Sequence, residues 1–396
     1  MRVYNRRYEL MPRPELEQLQ LERLQALLAR LTRNVRRYRE RLGDTPIRSL
    51  ADLASLPFTT PDDMAQSFPY GMFAVPLRQI VRLHSMMGPA GSRQVIGHTR
   101  NDLVHWGRLV ARQLVAGGLT PKDVVLVCLS GDSRRSRAGY SLGAELIEAS
   151  VIAEDPSHVD VEISLLNTYK PTTMITTPTN ATELARALEE RKIDSQSLHL
   201  GSVLLTRPVE APLREELAAR LQAEVQCNFG ISHLLDPGLC VECEAGHFHV
   251  NEDEFIVEVD KGELILTTLC REALPLLRYR TRVACEIHRE KCSCGRTGSM
   301  LVPGGYLDGR LCVGETTLYE PQIAEVLGRS RAANHPFKFE AVERRLIVSL
   351  EVTSGLVSDM MWQMVDWRRE IEEQFLIHLG IEAEVQFVNP LRNAQG

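Results

Sequence analysis

Six of the nine cysteines in this chain of 396 residues fall between positions 229 and 297: Cys240, Cys243, Cys270, Cys285, Cys292 and Cys294. His247, His249 and His288 lie among them. Thiolates and imidazoles are the ligands that a tetrahedral zinc ion takes, usually as two close pairs brought together by the fold. Cys292-Ser293-Cys294, followed by Gly295, can wrap one edge of such a tetrahedron as a short knuckle. The other edge can come from Cys240 with Cys243, or from Cys243 with a histidine. The plainer alternative is that these are small apolar core residues, as free cysteines often are. Their clustering beside histidines in a polar, glycine-bearing loop favours the metal. Four protein ligands leave no open position for a substrate, so the expected role is structural.

Two other places could hold an anion. Ser85-Met86-Met87-Gly88-Pro89-Ala90-Gly91-Ser92-Arg93 carries glycines where a loop can offer backbone donors to phosphate. Met86 and Met87 bring no hydroxyl, however, and Pro89 removes one N–H. Gly131-Asp132-Ser133-Arg134-Arg135-Ser136-Arg137 can meet an anion or simply face water. A third group of arginines, Arg33, Arg36, Arg37, Arg39 and Arg41, crowds the end of a helix, where cations are favoured with or without a bound anion.

The elements that position these residues are legible from periodicity. Leu16, Leu19, Leu24, Leu27, Leu28 and Leu31 recur at helical spacing and predict one amphipathic helix over 14–42. A short helix near 52–56 follows, with a new helix starting at Thr60 or Pro61. A strand is expected over 79–84, a helix capped by Asn101 or Asp102 to about 115, a strand over 124–129 and a helix over 141–148. Strands over 172–177, 202–205 and 224–229 then alternate with helices over 181–190 and 212–221, the mark of βαβ units on a parallel sheet. In such sheets ligands sit beyond the strand C-termini, where Phe229-Gly230-Ile231-Ser232 lies. The pattern changes to antiparallel strands over 248–250, 255–259, 263–268 and 276–279, with Asp260-Lys261-Gly262 as a hairpin turn. After Asp308-Gly309-Arg310 come a helix over 318–327, strands over 337–340 and 346–351, a helix over 357–379 and a strand over 383–388. The expected organisation is therefore α/β: a large domain over 1–307 with an antiparallel β subdomain, and a small α+β domain over 308–396.

Composition narrows the partners. A formal net charge of -6 gives no reason to expect nucleic acid or an anionic membrane. No apolar run approaches the roughly 20 residues needed to span a bilayer. Met1-Arg2-Val3-Tyr4-Asn5-Arg6-Arg7 lacks the apolar core of a secretory signal, so a cytoplasmic protein without disulfides is expected.

Several segments carry a family likeness. They are Leu53-Ala54-Ser55-Leu56-Pro57-Phe58-Thr59-Thr60, Pro69-Tyr70-Gly71-Met72-Phe73-Ala74-Val75-Pro76, Gly262-Glu263-Leu264-Ile265-Leu266-Thr267-Thr268-Leu269, Pro275-Leu276-Leu277-Arg278-Tyr279-Arg280-Thr281-Arg282 and Cys294-Gly295-Arg296-Thr297. In these the chain resembles phenylacetate–CoA ligases and the related deazaflavin-coenzyme adenylating synthetases, within the superfamily of adenylate-forming enzymes. The resemblance implies a large N-terminal domain, a small mobile C-terminal domain and frequent dimers. It implies zinc on Cys243, His249, Cys292 and Cys294, with Cys240 and His247 in reserve. It also implies a two-step reaction, in which a carboxylate attacks ATP to give an acyl-adenylate and the CoA thiol then displaces AMP. That chemistry needs phosphate donors, a carboxylate on magnesium, a carboxylate on ribose and a lysine.

Against those needs the sequence departs from the family. The phosphate loop keeps only Gly88 and Gly91. The adenine-side segment reads Leu205-Thr206-Arg207-Pro208, and the Tyr-Gly-Leu-Ser-Glu motif reads Phe229-Gly230-Ile231-Ser232-His233, with His233 in place of the metal-binding carboxylate. Val283 replaces the ribose-binding aspartate, and 389–396 carry no lysine; Lys338 alone follows the hinge. The expectation is a ligase-like protein with a degenerate ATP–magnesium site and little or no activity. It would act as an accessory or binding protein, as a homodimer or paired with an active relative. Arg134, Arg135, Arg137, Arg207 and His233 are candidates for an anionic small molecule. The alternative is an active AMP-forming ligase whose surviving site residues are Gly88, Gly91, Phe229, Gly230, Ser232, Arg278, Arg280 and Asp308.

Overall fold

The computed structural model describes residues 1–43, 46–88, 93–129, 133–152, 154, 158–231, 234–314, 316–342, 345–352 and 361–388, excluding the side chains of 134 and 361–363. Among them, residues up to Leu307 form one compact unit and residues from Asp308 a second. Each has its own apolar core.

In the first unit, alternating strands and helices build a five-stranded parallel sheet in the order Ser150–Ile152, Val124–Cys128, Thr173–Thr176, Ser202–Leu205, Glu224–Cys227. The central strands are apolar on both faces because helices such as Arg100–Ala116 and Pro178–Glu190 cover them. Thr99 caps the former helix, its hydroxyl accepting from the Asp102 N–H while the Asp102 carboxylate accepts from Thr99 N–H. A six-stranded antiparallel sheet follows in the order Phe255–Asp260, Glu263–Thr268, Tyr279–His288, Met300–Tyr306, Phe248–Val250, Cys240–Glu242. Its first hairpin turns at Lys261 and Gly262, whose φ values of 52° and 80° supply the left-handed pair that a two-residue turn needs.

Several expected elements are redrawn. The N-terminal helix is two, Arg13–Asn34 and Arg36–Leu42, broken at the extended and fully buried Val35. The crowded arginines serve the fold: Arg37 and Arg41 pair with Asp63, and Arg39 donates to the carbonyls of Thr32 and Arg33 that the helix end leaves open. The strand placed at 276–279 begins instead at Tyr279, because Arg278 adopts a left-handed φ of 45°. The strand at 79–84 is half of a hairpin, Ile80–Met87 against Arg93–Thr99.

Buried ion pairs brace this unit. Arg112 places both terminal nitrogens on Asp253, at 2.7 and 2.8 Å, and a third contact on Asn251. Arg296 meets Glu9 at 3.2 Å with both side chains almost wholly buried. Arg278 meets Glu258 at 3.0 Å. The cation in each is an arginine, whose planar fork suits two-point pairing with a carboxylate.

The second unit is α+β. Phe337–Val342 pairs antiparallel with Arg345–Glu351, which pairs parallel with Ala383–Val388, and helix Met361–Leu379 makes the crossover. Ile371 and Phe375 of that helix pack into the small core with Leu346, Val348 and Val385. Among the described residues, no helix is long and apolar enough to cross a membrane.

Candidate functional site: a thiol–imidazole cluster and a buried polar pocket

Cys243 ends the strand Cys240–Glu242 and opens a tight turn in which Gly246, at φ 77°, returns the chain to strand Phe248–Val250. That turn places His249 beside Cys243. From the far side of the sheet edge comes the loop after Tyr279–His288, where Gly295 N–H donates to the Cys292 carbonyl and Gly295 takes φ 81°. The ligand atoms of Cys243, His249, Cys292 and Cys294 all lie within 4.8 Å of one another. Cys243 Sγ is 3.9 Å from Cys292 Sγ, and Cys294 Sγ is 3.3 Å from His249 Nε2. A tetrahedral zinc with sulfur and nitrogen ligands separates its donors by roughly 3.5–3.8 Å, so the set fits with small adjustments.

The surroundings favour metal ligation. His249 Nδ1 donates to the Gly298 carbonyl at 2.8 Å, which leaves the Nε2 lone pair directed at the thiols. The backbone N–H of Arg296 points to Cys294 Sγ at 3.4 Å. Burial pushes Cys243 up to about 12. It acts the same way on Cys292, but hydrogen bonds from the Cys294 backbone and the His247 ring outweigh it and hold that thiol down at about 6.

The other cysteines and histidines of this stretch are not part of the set. Cys240 is fully buried and faces the apolar core, where burial pushes its thiol up. His247 Nδ1 approaches Cys292 Sγ at 3.3 Å from an exposed position. Cys270 belongs to a separate group with Glu254 and His105. There the His105–Glu254 pair, at 2.8 Å, is complete as an ion pair.

The second candidate region lies where parallel-sheet folds bind ligands, beyond strand Glu224–Cys227. Phe229 is buried and packs on Phe248. Gly230 is a glycine for a clear reason: a Cβ there would sit 2.4 Å from a carboxylate oxygen of Asp236. Asp236 is half-buried, and its one described hydrogen bond comes from Asn228 Nδ2 at 2.7 Å. Burial raises its carboxyl to about 6, against the opposing pull of Asn228. Asn228 Oδ1 and the Tyr140 hydroxyl are both buried without a partner among the described residues. Sequence reading missed this trio, since nothing in the spacing of Tyr140, Asn228 and Asp236 foretells their meeting. Because the Tyr140 hydroxyl is unsatisfied, Tyr140→Phe is expected to leave stability unchanged or raise it by about 1 kcal/mol. Urea unfolding would measure this, and a clear loss would mean the hydroxyl has a partner.

The remaining expected site residues scatter. Arg278 and Arg280 are not free to meet a nucleotide. Arg278 spends its guanidinium on Glu258 and on the carbonyls of Ala54 and Leu56, and Arg280 on Glu263 and Asp260. Both guanidinium groups lie 4.2 Å from the Phe58 ring centroid. Val283 is buried in the sheet. In the second unit, Asp308 accepts two hydrogen bonds from Arg310, at 2.8 and 2.7 Å. Lys338 is exposed on strand Phe337–Val342. Gly88 is buried with the Gln94 side chain packed where its Cβ would be. Gly91, Ser232, His233, the side chain of Arg134 and the terminal segment 389–396 lie outside the described residues. Of the other anion candidates, Arg137 donates to the Glu154 carbonyl and Arg207 is half-buried.

No family model matches the sequence. Among curated proteins, the phenylacetate-coenzyme A ligase of Thermus thermophilus is 32% identical over 346 residues, covering 82% of this chain and 78% of that protein. Its Escherichia coli counterpart is 29% identical over 402 residues, covering 95% and 91%. Among solved structures, 2-hydroxyisobutyryl-CoA ligase in complex with 2-HIB-AMP and CoA superposes with a TM-score of 0.87 at 21% identity, over 100% of this chain and 91% of that one. That likeness bears on the fold, which is the adenylate-forming one.

Proposed function

Because this chain belongs to the phenylacetate–CoA ligase family, we propose that it is a ligand-binding or accessory member with a degenerate ATP–magnesium site and little or no adenylating activity. The observation that carries this reading is how the segment from Arg278 to Val283 is spent. Its two arginines are consumed by Glu258, Glu263 and Asp260, and Val283 offers an apolar side chain to the core. Losing one well-placed transition-state donor costs roughly 10²–10³-fold in rate, so several losses at one nucleotide site compound. Zinc held by Cys243, His249, Cys292 and Cys294 would be structural. It would pin the edge of the antiparallel sheet, with His249 oriented by Gly298. The protein would act in the cytoplasm, as a homodimer or beside an active relative, and would take an anionic small molecule.

A second reading, an active AMP-forming aryl acid–CoA ligase with altered nucleotide contacts, is favoured by Asp236. This carboxylate lies against Gly230, three residues beyond the position that His233 occupies. The two readings separate in one experiment: calorimetric titration of the zinc-replete protein with ATP and magnesium, followed by a pyrophosphate-release assay with phenylacetate and CoA. The expected result is no heat up to millimolar ATP and no pyrophosphate above background. Steady release that Asp236→Ala abolishes would overturn the accessory reading in favour of the ligase.

A further inference from the structure

The hairpin Ile80–Met87/Arg93–Thr99 has an unusual inner face. Arg82 stands directly across from His98, His84 from Ile96, and Met86 from Gln94. Directly opposed residues of an antiparallel pair share a face, and so do residues two apart on one strand. Arg82, His84, Gln94 and His98 therefore project together. The alternate residues Val81, Leu83 and Ser85 point to solvent. A face turned inward should be apolar, or its polar atoms should be paired. Here they are not: Arg82 Nη1, His98 Nε2 and both polar atoms of the Gln94 amide are buried without a partner among the described residues.

Arg271 closes the same region. Its side chain is buried, yet its nearest polar contacts are long ones, 3.4 Å to His98 Nδ1 and 3.4 Å to the Gly97 carbonyl. Among the described residues no carboxylate forms an ion pair with it. Asp102 is occupied by the backbone N–H groups of Thr99, Glu272 and Ala273, and Glu254 by His105. Since Arg271 can only donate, its contact makes His98 Nδ1 the acceptor, so the proton of the neutral ring sits on Nε2, the unpaired nitrogen. The ring is held in place by stacking on Trp106, with centroids 5.2 Å apart and planes 12° from parallel. Burial beside Arg271 and Arg82 keeps it neutral at physiological pH. The result is that Arg82 and His98, opposed across the hairpin, and Arg271, from the segment after Glu263–Thr268, come together with no carboxylate in direct contact with Arg271 among the described residues, while Asp102 and Glu254 act on it from farther off.

We propose that Arg82, His98 and Arg271 form a buried oxyanion-binding site that takes the carboxylate or phosphoryl group of a small ligand. The proposal rests on the ligand-binding reading above and names the chemical class of the ligand. It moves the anion from the candidate arginines of the 131–137 segment to the inner face of the hairpin.

The test is calorimetric titration of the full-length, zinc-replete protein with inorganic phosphate, phenylacetate and ATP as separate probes, repeated on Arg82→Gln, Arg271→Met and Arg82→Lys. At least one probe is expected to bind. Its affinity should fall roughly tenfold or more in the two charge-removing variants and be largely restored in Arg82→Lys. Phosphate or ATP binding without phenylacetate identifies a phosphoryl ligand, and the converse identifies a carboxylate. Should a variant fold poorly, the wild-type protein alone still decides, because an oxyanion that fills the site must perturb the fluorescence of the stacked Trp106 and raise the melting temperature. Absence of binding by all three probes, or binding undiminished in both charge-removing variants, overturns the proposal. Pyrophosphate release would overturn the accessory reading and leave these binding results standing, since they are read without turnover.

Discussion

Stripping the metal from the Cys243–His249–Cys292–Cys294 cluster is expected to lower the unfolding free energy of the large unit by about 4 kcal/mol, taking free metal at a thousand times its dissociation constant as the reference. Cys294→Ser should do the same without a chelator. The reason lies in how little else holds the loop from 289 to 295. Arg289, Glu290 and Lys291 are exposed, and Cys292 and Cys294 are only half-buried, so the loop has almost no apolar surface of its own to bury. Three thiols within 4.8 Å, one of them drawn down to about 6, are a poor arrangement without a cation to share. Elemental analysis should find one zinc per chain in the wild-type protein and far less in Cys294→Ser and His249→Ala. His247→Ala should retain the metal, because His247 touches Cys292 from outside the four-ligand set. Metal-free wild-type protein of unchanged stability would sink the assignment.

Asp236→Asn is expected to stabilise the protein by about 3 kcal/mol at pH 7.5 and to change little at pH 4. The carboxyl is raised from an ordinary 3.8 to about 6 by burial, with a single opposing hydrogen bond from Asn228. A folded-state value above the unfolded one means that the folded form holds the proton more tightly. The stability this contributes is fully present below about 4 and is lost as pH rises through about 6. Above that, the wild-type protein must either bury a carboxylate or bind its proton at a cost. Asparagine keeps an acceptor oxygen for Asn228 Nδ2 and removes the charge. Urea unfolding of both proteins between pH 4 and 8 would measure the difference. Parallel pH profiles, or a variant less stable than wild type at pH 7.5, would refute it. The same substitution bears on activity: if Asp236 binds magnesium in a working ligase, Asp236→Asn would cost turnover while gaining stability.

Much of the fold was legible because local pattern and tertiary role agree. Strand Ser202–Leu205 and strand Glu263–Thr268 fall where apolar runs bounded by turn residues put them, and the parallel alternation through Glu224–Cys227 follows from the periodicity alone. The meeting of thiols and imidazole was legible because Cys292, Cys294 and Gly295 are local, and the resemblance supplied Cys243 and His249. Illegible features share one cause: the residue types contradict the positions they hold. Strand Arg93–Thr99 turns Gln94 and His98 inward, so its alternation reads as polar where a buried strand should be apolar. Residue Val35 breaks a helix without proline or glycine, because the break is set by packing of an extended, fully buried valine. Strand Tyr279–His288 starts late because Arg278 takes a left-handed conformation that no residue-type preference suggests. The ion pairs of Arg278 and Arg280 were illegible for a related reason. A sequence shows the cation but not the carboxylate that claims it, and Glu258, Asp260 and Glu263 claim these two.

The braces of the large unit also bear on its chemistry. Arg112, Arg278 and Arg296 hold their carboxylates with guanidinium groups, and lysine is scarce throughout the chain. A guanidinium does not lose its proton at any pH a folded protein meets. Nor is it the group that activated acyl compounds modify; that is the lysine amine. A scaffold whose buried cations are arginines can thus sit among reactive thioesters and mixed anhydrides without having its internal charges capped one acyl group at a time.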